Sequence, residues 1–80
     1  MKARIRITLK TGVLDPQGKA IQNALSGLGF AGVNDVRQGK YIELDLAEKD
    51  QARAGAAVEK MCRDLLANLD IENYSYELIP

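Results

Sequence analysis

The stretch Gly12-Val13-Leu14-Asp15-Pro16-Gln17-Gly18 is the first place where residue types and spacing could do chemistry. A helix beginning at Pro16 would offer free N–H groups and the positive end of its dipole to an anion. Asp15 opposes that use, because as N-cap its carboxylate takes one or two of those donors and repels a phosphate. The glycine spacing and the lysine of a P-loop are also missing. Elsewhere, Glu43 and Asp45 stand two apart on one strand face, but solvent and neighbouring arginines leave them ordinary carboxylates rather than a catalytic pair. Cys62 sits among Met61, Leu65 and Leu66, where a free thiol behaves as a small hydrophobe.

Composition removes more. The chain has 80 residues, 11 basic and 11 acidic, with no histidine, no tryptophan and one cysteine. Without histidine the Ser-His-Asp and Cys-His nucleophile systems and histidine metal sites are excluded, and an enzyme acting alone is improbable. A single cysteine without CxxC or Cys/His clusters points to a reducing compartment, with cytoplasm as the default. The opening MKARIRITLK has neither a signal-peptide core nor a membrane span, so a soluble, unprocessed chain is expected. Zero net charge lacks the basic excess that nucleic acid demands. Length allows one domain, residues 1–80, too small to be comfortable alone; a homodimer is the expected folded unit, with a tetramer left open.

These residues need elements to hold them. Ala3, Ile5, Ile7 and Leu9 alternate with Arg4, Arg6, Thr8 and Lys10, the pattern of a half-buried strand. The Asp15-Pro16 step starts a helix whose apolar positions are Ala20, Ile21, Ala24, Leu25 and Leu28; Gly29 ends it in a left-handed conformation, and Phe30 folds back as a core anchor. Ala31 to Leu46 reads as two strands, the pattern favouring a three-residue loop, Gln38-Gly39-Lys40, with Val36 paired to Ile42 and Arg37 opposite Tyr41; a two-residue Gln38-Gly39 loop would put Val36 opposite Tyr41 instead. Glu48 to Asn68 forms a second helix with Val58, Met61, Cys62, Leu65, Leu66 and Leu69 as its stripe. Gly55 belongs near its start or at a close contact. Ile71 to Ile79 alternates as a last strand, with Tyr74, Tyr76 and Leu78 inward and the tyrosine hydroxyls at the rim.

The expected fold is α+β, a ferredoxin-like β-α-β-β-α-β arrangement with a four-stranded antiparallel sheet and two helices on one face. First and third strands are then central neighbours, so Arg4, Arg6 and Lys10 lie beside Glu43 and Asp45 on the open face. Such faces can stack RNA bases on aromatics, but only Tyr41 stands there, against acidic neighbours. Arg4, Arg6, Tyr41, Glu43 and Asp45 form instead a candidate self-complementary dimer face. Small sensor domains of this topology bind amino acids at the loop after the first strand. An ACT-like ligand-sensing domain is therefore the alternative function.

The words Lys10-x-Gly12-Val13-Leu14-Asp15-Pro16-Gln17-Gly18, Leu28-Gly29-Phe30, Val36-Arg37-x-Gly39-Lys40 and Leu65-Leu66-Ala67-Asn68, in that order, resemble the PurS family. These are the small subunits of phosphoribosylformylglycinamidine (FGAM) synthase. The resemblance runs from the first strand to Tyr74 without large insertions. It implies a non-catalytic subunit of a C–N ligase in purine biosynthesis. A glutaminase subunit, PurQ, releases ammonia from glutamine, and a synthetase subunit, PurL, uses ATP and Mg to activate the amide of formylglycinamide ribonucleotide. No cofactor is expected on this chain. Ammonia is mostly protonated at neutral pH and diffuses away, so the two sites must be docked and joined by a sheltered path. The resemblance thus points to an adaptor whose candidate contacts are Asp15, Pro16, Gln17, Gly18, Arg37, Gly39, Lys40 and Asn68. Asp15, Gly39 and Asn68 each also have a sufficient structural role, as helix cap, backbone hinge and helix end.

Overall fold

Alternation alone builds the first strand: Ala3, Ile5 and Ile7 are fully buried, while the intervening side chains face solvent in whole or part. In the computed structural model, which describes all 80 residues, this strand β1 (Lys2–Leu9) is followed by α1 (Pro16–Gly27), β2 (Gly39–Asp45), α2 (Gln51–Met61), a π-helical turn (Cys62–Leu66) and β3 (Glu72–Ile79). The sheet has three antiparallel strands in the order β2-β1-β3. Arg4 stands opposite Glu43 on one side and Glu77 on the other. Val58 and Cys62 pack on Ala3, Ile5 and Ile7, with Tyr74, Tyr76, Leu78, Ile42 and Leu44 around them. No helix is long and apolar enough to cross a membrane.

The four-stranded sheet expected from the sequence does not form. Residues 33–38 belong to no strand, and Gly39 is not a turn residue: it opens β2 opposite Thr8, where a β-carbon would run into the Ile7 carbonyl and the Thr8 methyl. The pairing of Val36 with Ile42 and of Arg37 with Tyr41 is replaced by Ile5 with Ile42 and Arg6 with Tyr41. Side chains take the backbone groups that a strand ladder would need. The Val36 N–H donates to Asp35 Oδ1 (2.9 Å), the Gln38 N–H to Asp15 Oδ2 (2.8 Å), and Gln22 Nε2 donates to the Asn34 carbonyl (3.0 Å). Residues 33–38 therefore pair with no strand of the sheet.

The helix layer differs as well. α2 covers β1 and β3, but α1 takes no substantial packing from any strand or from α2. It projects with residues 10–15 and 29–38 as an arm, giving the molecule dimensions of 48 × 26 × 14 Å. The radius of gyration, 16.0 Å, compares with about 12 Å for a compact chain of this length. Phe30, expected as a core anchor, is 58% exposed on that arm, although Gly29 does hold the positive φ expected after α1.

The second helix ends earlier than Asn68. At Cys62 the ladder widens to a π turn, with the Ala67 N–H donating to the Cys62 carbonyl at 2.9 Å. Along this stretch Val58 and Cys62 are buried while Met61, Leu65 and Leu69 are exposed. Gly55 lies inside α2, its carbonyl accepting from the Tyr76 hydroxyl at 3.5 Å. The Tyr74 hydroxyl reaches Glu59 Oε2 at 2.5 Å, so both tyrosine rims bind α2.

Candidate functional site

Helix entry and strand entry meet at Asp15. A turn closed by the Val13 N–H on the Lys10 carbonyl, with Gly12 at φ 89°, carries the chain from β1 to Asp15. Proline at the next position fits the first helical residue, and Asp15 Oδ1 accepts from the Gly18 N–H at 2.8 Å. This is the N-cap read from the sequence. Its second oxygen does what the sequence did not announce: by accepting from Gln38 it ties the start of α1 to the start of β2 across 23 residues. Asp15 is 7% exposed, and these two N–H donors hold its carboxyl below the ordinary value of 3.8 against the opposing effect of burial, with a further contribution from the Arg37 charge.

Arg37 closes the same corner from the other side. Its Nη1 donates to the Val13 carbonyl at 3.0 Å, and its Nη2 to the Lys10 and Leu9 carbonyls at 3.0 and 3.3 Å. The guanidinium fork thus collects the carbonyls that turn away where β1 ends. Gly18 completes the fit, because a β-carbon there would run into the Val36 carbonyl. Asp15 and Arg37 are both engaged with backbone, so the 310 Å³ hollow between Gly12–Asp15 and Asp35–Arg37 keeps neither as a free charged group for a small ligand.

A second cleft of about 390 Å³ lies beside it, between Asp15-Pro16-Gln17 and Gln38-Gly39-Lys40, floored by Ile7 and Leu9. Lys40 Nζ pairs with Glu72 Oε2 at 3.5 Å, and Glu72 Oε1 accepts from the Asn68 N–H at 2.7 Å. The eight candidate contacts therefore gather along one end of the sheet. Asp15 and Gly18 are buried and shape it; Pro16, Gln17, Arg37, Gly39, Lys40 and Asn68 are exposed on it. Sequence reading missed Glu72 and Gln38. Glu72 carries a signal: stepping back by twos from Leu78, Tyr76 and Tyr74 lands an acid on the inward face. Gln38 contributes only its backbone N–H and has none.

The open sheet face holds the second group. Lys2 pairs with Glu43 at 3.3 Å, and Glu77 receives Arg4 at 3.9 Å and Arg6 at 3.5 Å. Arg6 also lies 5.7 Å from the Tyr41 ring centre. Arg4 and Arg6 thus turn to β3 rather than to Glu43 and Asp45, and Lys10 lies past the end of β1, donating its N–H to the Ile71 carbonyl. The Lys2 ammonium, by hydrogen bond and then by charge, lowers the Glu43 carboxyl from its ordinary value. All of these pairs are half-exposed, where ion pairs contribute little to stability.

Comparison with known proteins places this geometry. Residues 2–80 match the family model described as PurS, phosphoribosylformylglycinamidine (FGAM) synthase. The chain is similar to phosphoribosylformylglycinamidine synthase subunit PurS of Synechocystis, 52% identical over 75 residues, covering 94% of this chain and 75% of the relative. Among solved structures it superposes on Bacillus subtilis PurS with a TM-score of 0.87 and 46% identity, over 99% of this chain and 98% of the other. It also superposes on a chain in the structure of PurLQS from Thermotoga maritima, with a TM-score of 0.88 and 29% identity over 98% and 95% of the two chains.

Proposed function

The chain belongs to the PurS family, the small subunit of FGAM synthase, and from that premise we propose that residues 1–80 act as one PurS domain bridging the glutaminase PurQ and the synthetase PurL. Its place is in purine biosynthesis, as a part of the glutamine-dependent ligase that makes no bond itself. The observation that carries the reading is the match, over nearly the whole chain, to a protein in the PurLQS structure. ATP, and Mg with it, belongs to the synthetase chemistry of the assembly, and the assembly works in the cytoplasm.

The site supports a scaffolding role. Its two best-placed charged groups, Asp15 and Arg37, hold backbone instead of facing a reactant, while Pro16, Gln17, Gly39, Lys40 and Asn68 present one continuous surface at the sheet end. We assign that end to subunit docking. The arrangement keeps ammonia from escaping between glutaminase and synthetase by holding the two in register. The test is reconstitution. With PurL and PurQ present, leaving out this chain is expected to lower glutamine-dependent FGAM formation by about an order of magnitude or more, while formation from added ammonium salt persists. Equal glutamine-dependent rates with and without it would overturn the adaptor role.

A further inference from the structure

Two rows of side chains that face the helix layer end in a charge at the same end of the sheet. On β2 the row runs Leu44, Ile42, Lys40, and on β3 it runs Leu78, Tyr76, Tyr74, Glu72. Lys40 stands opposite Ile7 and Glu72 opposite Leu9, so the two side chains reach over β1 from its two sides and meet at 3.5 Å above the floor of the cleft. The Glu72 side chain is 10% exposed and that of Lys40 63%. The carboxylate is thus the fixed member of the pair, and the ammonium is the member that faces outward.

Each oxygen of Glu72 holds a different segment. Oε1 accepts from the Asn68 N–H at 2.7 Å, and the Glu72 N–H donates in return to the Asn68 carbonyl at 2.7 Å, which closes the turn between the π-helical segment and β3. Oε2 faces Lys40 at 3.5 Å, longer than the roughly 2.7–2.9 Å of a charge-assisted hydrogen bond, so the charge steers the ammonium while its N–H donors stay free. A buried ion pair is weak evidence for stability, because well-packed apolar residues of similar volume often do as well or better. Apolar residues could have continued both rows. What the pair supplies instead is position, since Lys40 and the Asn68 turn are fixed to one carboxylate.

We propose that Glu72 is a positioning residue of the ligase assembly. It meets neither larger subunit itself; it sets the Lys40 ammonium and the Asn68 turn at a fixed separation, and Lys40 then donates to an oxygen acceptor on PurL or PurQ. The inference rests on the reading of the sheet end as the docking surface.

The experiment titrates this chain into PurL and PurQ and reads the concentration that gives half-maximal glutamine-dependent FGAM formation. Glu72→Gln keeps an acceptor for the Asn68 N–H and removes the charge that steers Lys40. That concentration is expected to rise roughly 5–10-fold, because a loose lysine has to be ordered at docking. Lys40→Met combined with Glu72→Gln is expected to weaken docking no further than Lys40→Met alone, since Glu72 acts through Lys40. In urea the doubly substituted chain is expected to unfold no earlier than wild type, which separates lost positioning from lost folding. Wild-type docking by Glu72→Gln, additive effects of the two substitutions, or an earlier unfolding midpoint would each overturn the positioning role. Gln17→Trp, at an exposed residue across the cleft, distinguishes the two readings. If it weakens docking while Glu72→Gln does not, the sheet end stands as the docking surface and the positioning role falls; if neither does, both fall.

Discussion

Replacing Gly18 by alanine separates the clamp at Asp15 from an ordinary helix start. In an unobstructed helix position the change stabilises by about 1 kcal/mol, because glycine loses more chain entropy on folding. At Gly18 the added methyl would collide with the Val36 carbonyl and sit 2.8 Å from Asp15 Oδ2. Neither neighbour can yield freely, since Asp15 and the adjoining Gln38 are hydrogen-bonded to each other. Overpacking of this kind costs about 1–3 kcal/mol. The net expectation is no gain and a loss of up to about 2 kcal/mol, or up to roughly 16 °C in Tm for a domain of this size. Gly55→Ala is the control: its β-carbon would meet the Tyr76 hydroxyl at 3.5 Å and Leu78 at 3.7 Å, ordinary contacts, and it is expected to stabilise by about 0.5–1 kcal/mol. Urea unfolding followed by far-UV circular dichroism, at one protein concentration throughout, measures both. A Gly18→Ala variant stabilised like Gly55→Ala would refute the clamp.

Two further outcomes follow from ionisable groups. Asp15, with its carboxyl lowered from 3.8, contributes stability that is present above that value and lost as pH falls through the lower folded value; Asp15→Asn is therefore expected to flatten the decline of Tm between neutral pH and pH about 2, and an unchanged slope would count against the cap and tether. Cys62, fully buried and with its thiol raised above 9.0 first by burial and then by Glu59, is expected to react with iodoacetamide in mildly alkaline buffer only as fast as the chain opens, and at the rate of a free thiol in urea. Its neutral form also stabilises the fold below pH 9.0, a contribution lost as pH rises through the folded value; rapid alkylation without urea would contradict the packing.

The strand alternation of β1, that of β2 at Ile42 and Leu44, and the cap at Asp15 were legible because each rests on local periodicity or a local hydrogen bond. The missing strand was not, yet a trace of it exists. Val33 and Val36 stand three apart, a spacing that no half-buried strand uses. What decided the path of residues 33–38 is long-range: Asp15 and Arg37 satisfy backbone groups across 23 to 28 residues, and no window of sequence contains both ends. Leu65 and Phe30 misled for a related reason. Their hydrophobicity was read as core, but burial requires a second layer, and α1 does not supply one to its own chain.

A chain with only 10 of 80 residues buried has little core with which to fix a binding surface. The polar corner answers that deficit by a different route. Each hydrogen bond of Asp15 and Arg37 joins segments that apolar packing leaves unconnected, so this end of the sheet is fixed within the chain itself. Ordering in advance matters because a partner that had to freeze a loose loop would lose about 0.5–1.5 kcal/mol per immobilised side chain. The same bonds hold α1 apart from the strands and from α2. Tethering the sheet end and projecting the arm are thus one structural decision. Weakening the tether by Arg37→Ala should loosen both surfaces together, whereas Leu25→Glu should affect the arm alone.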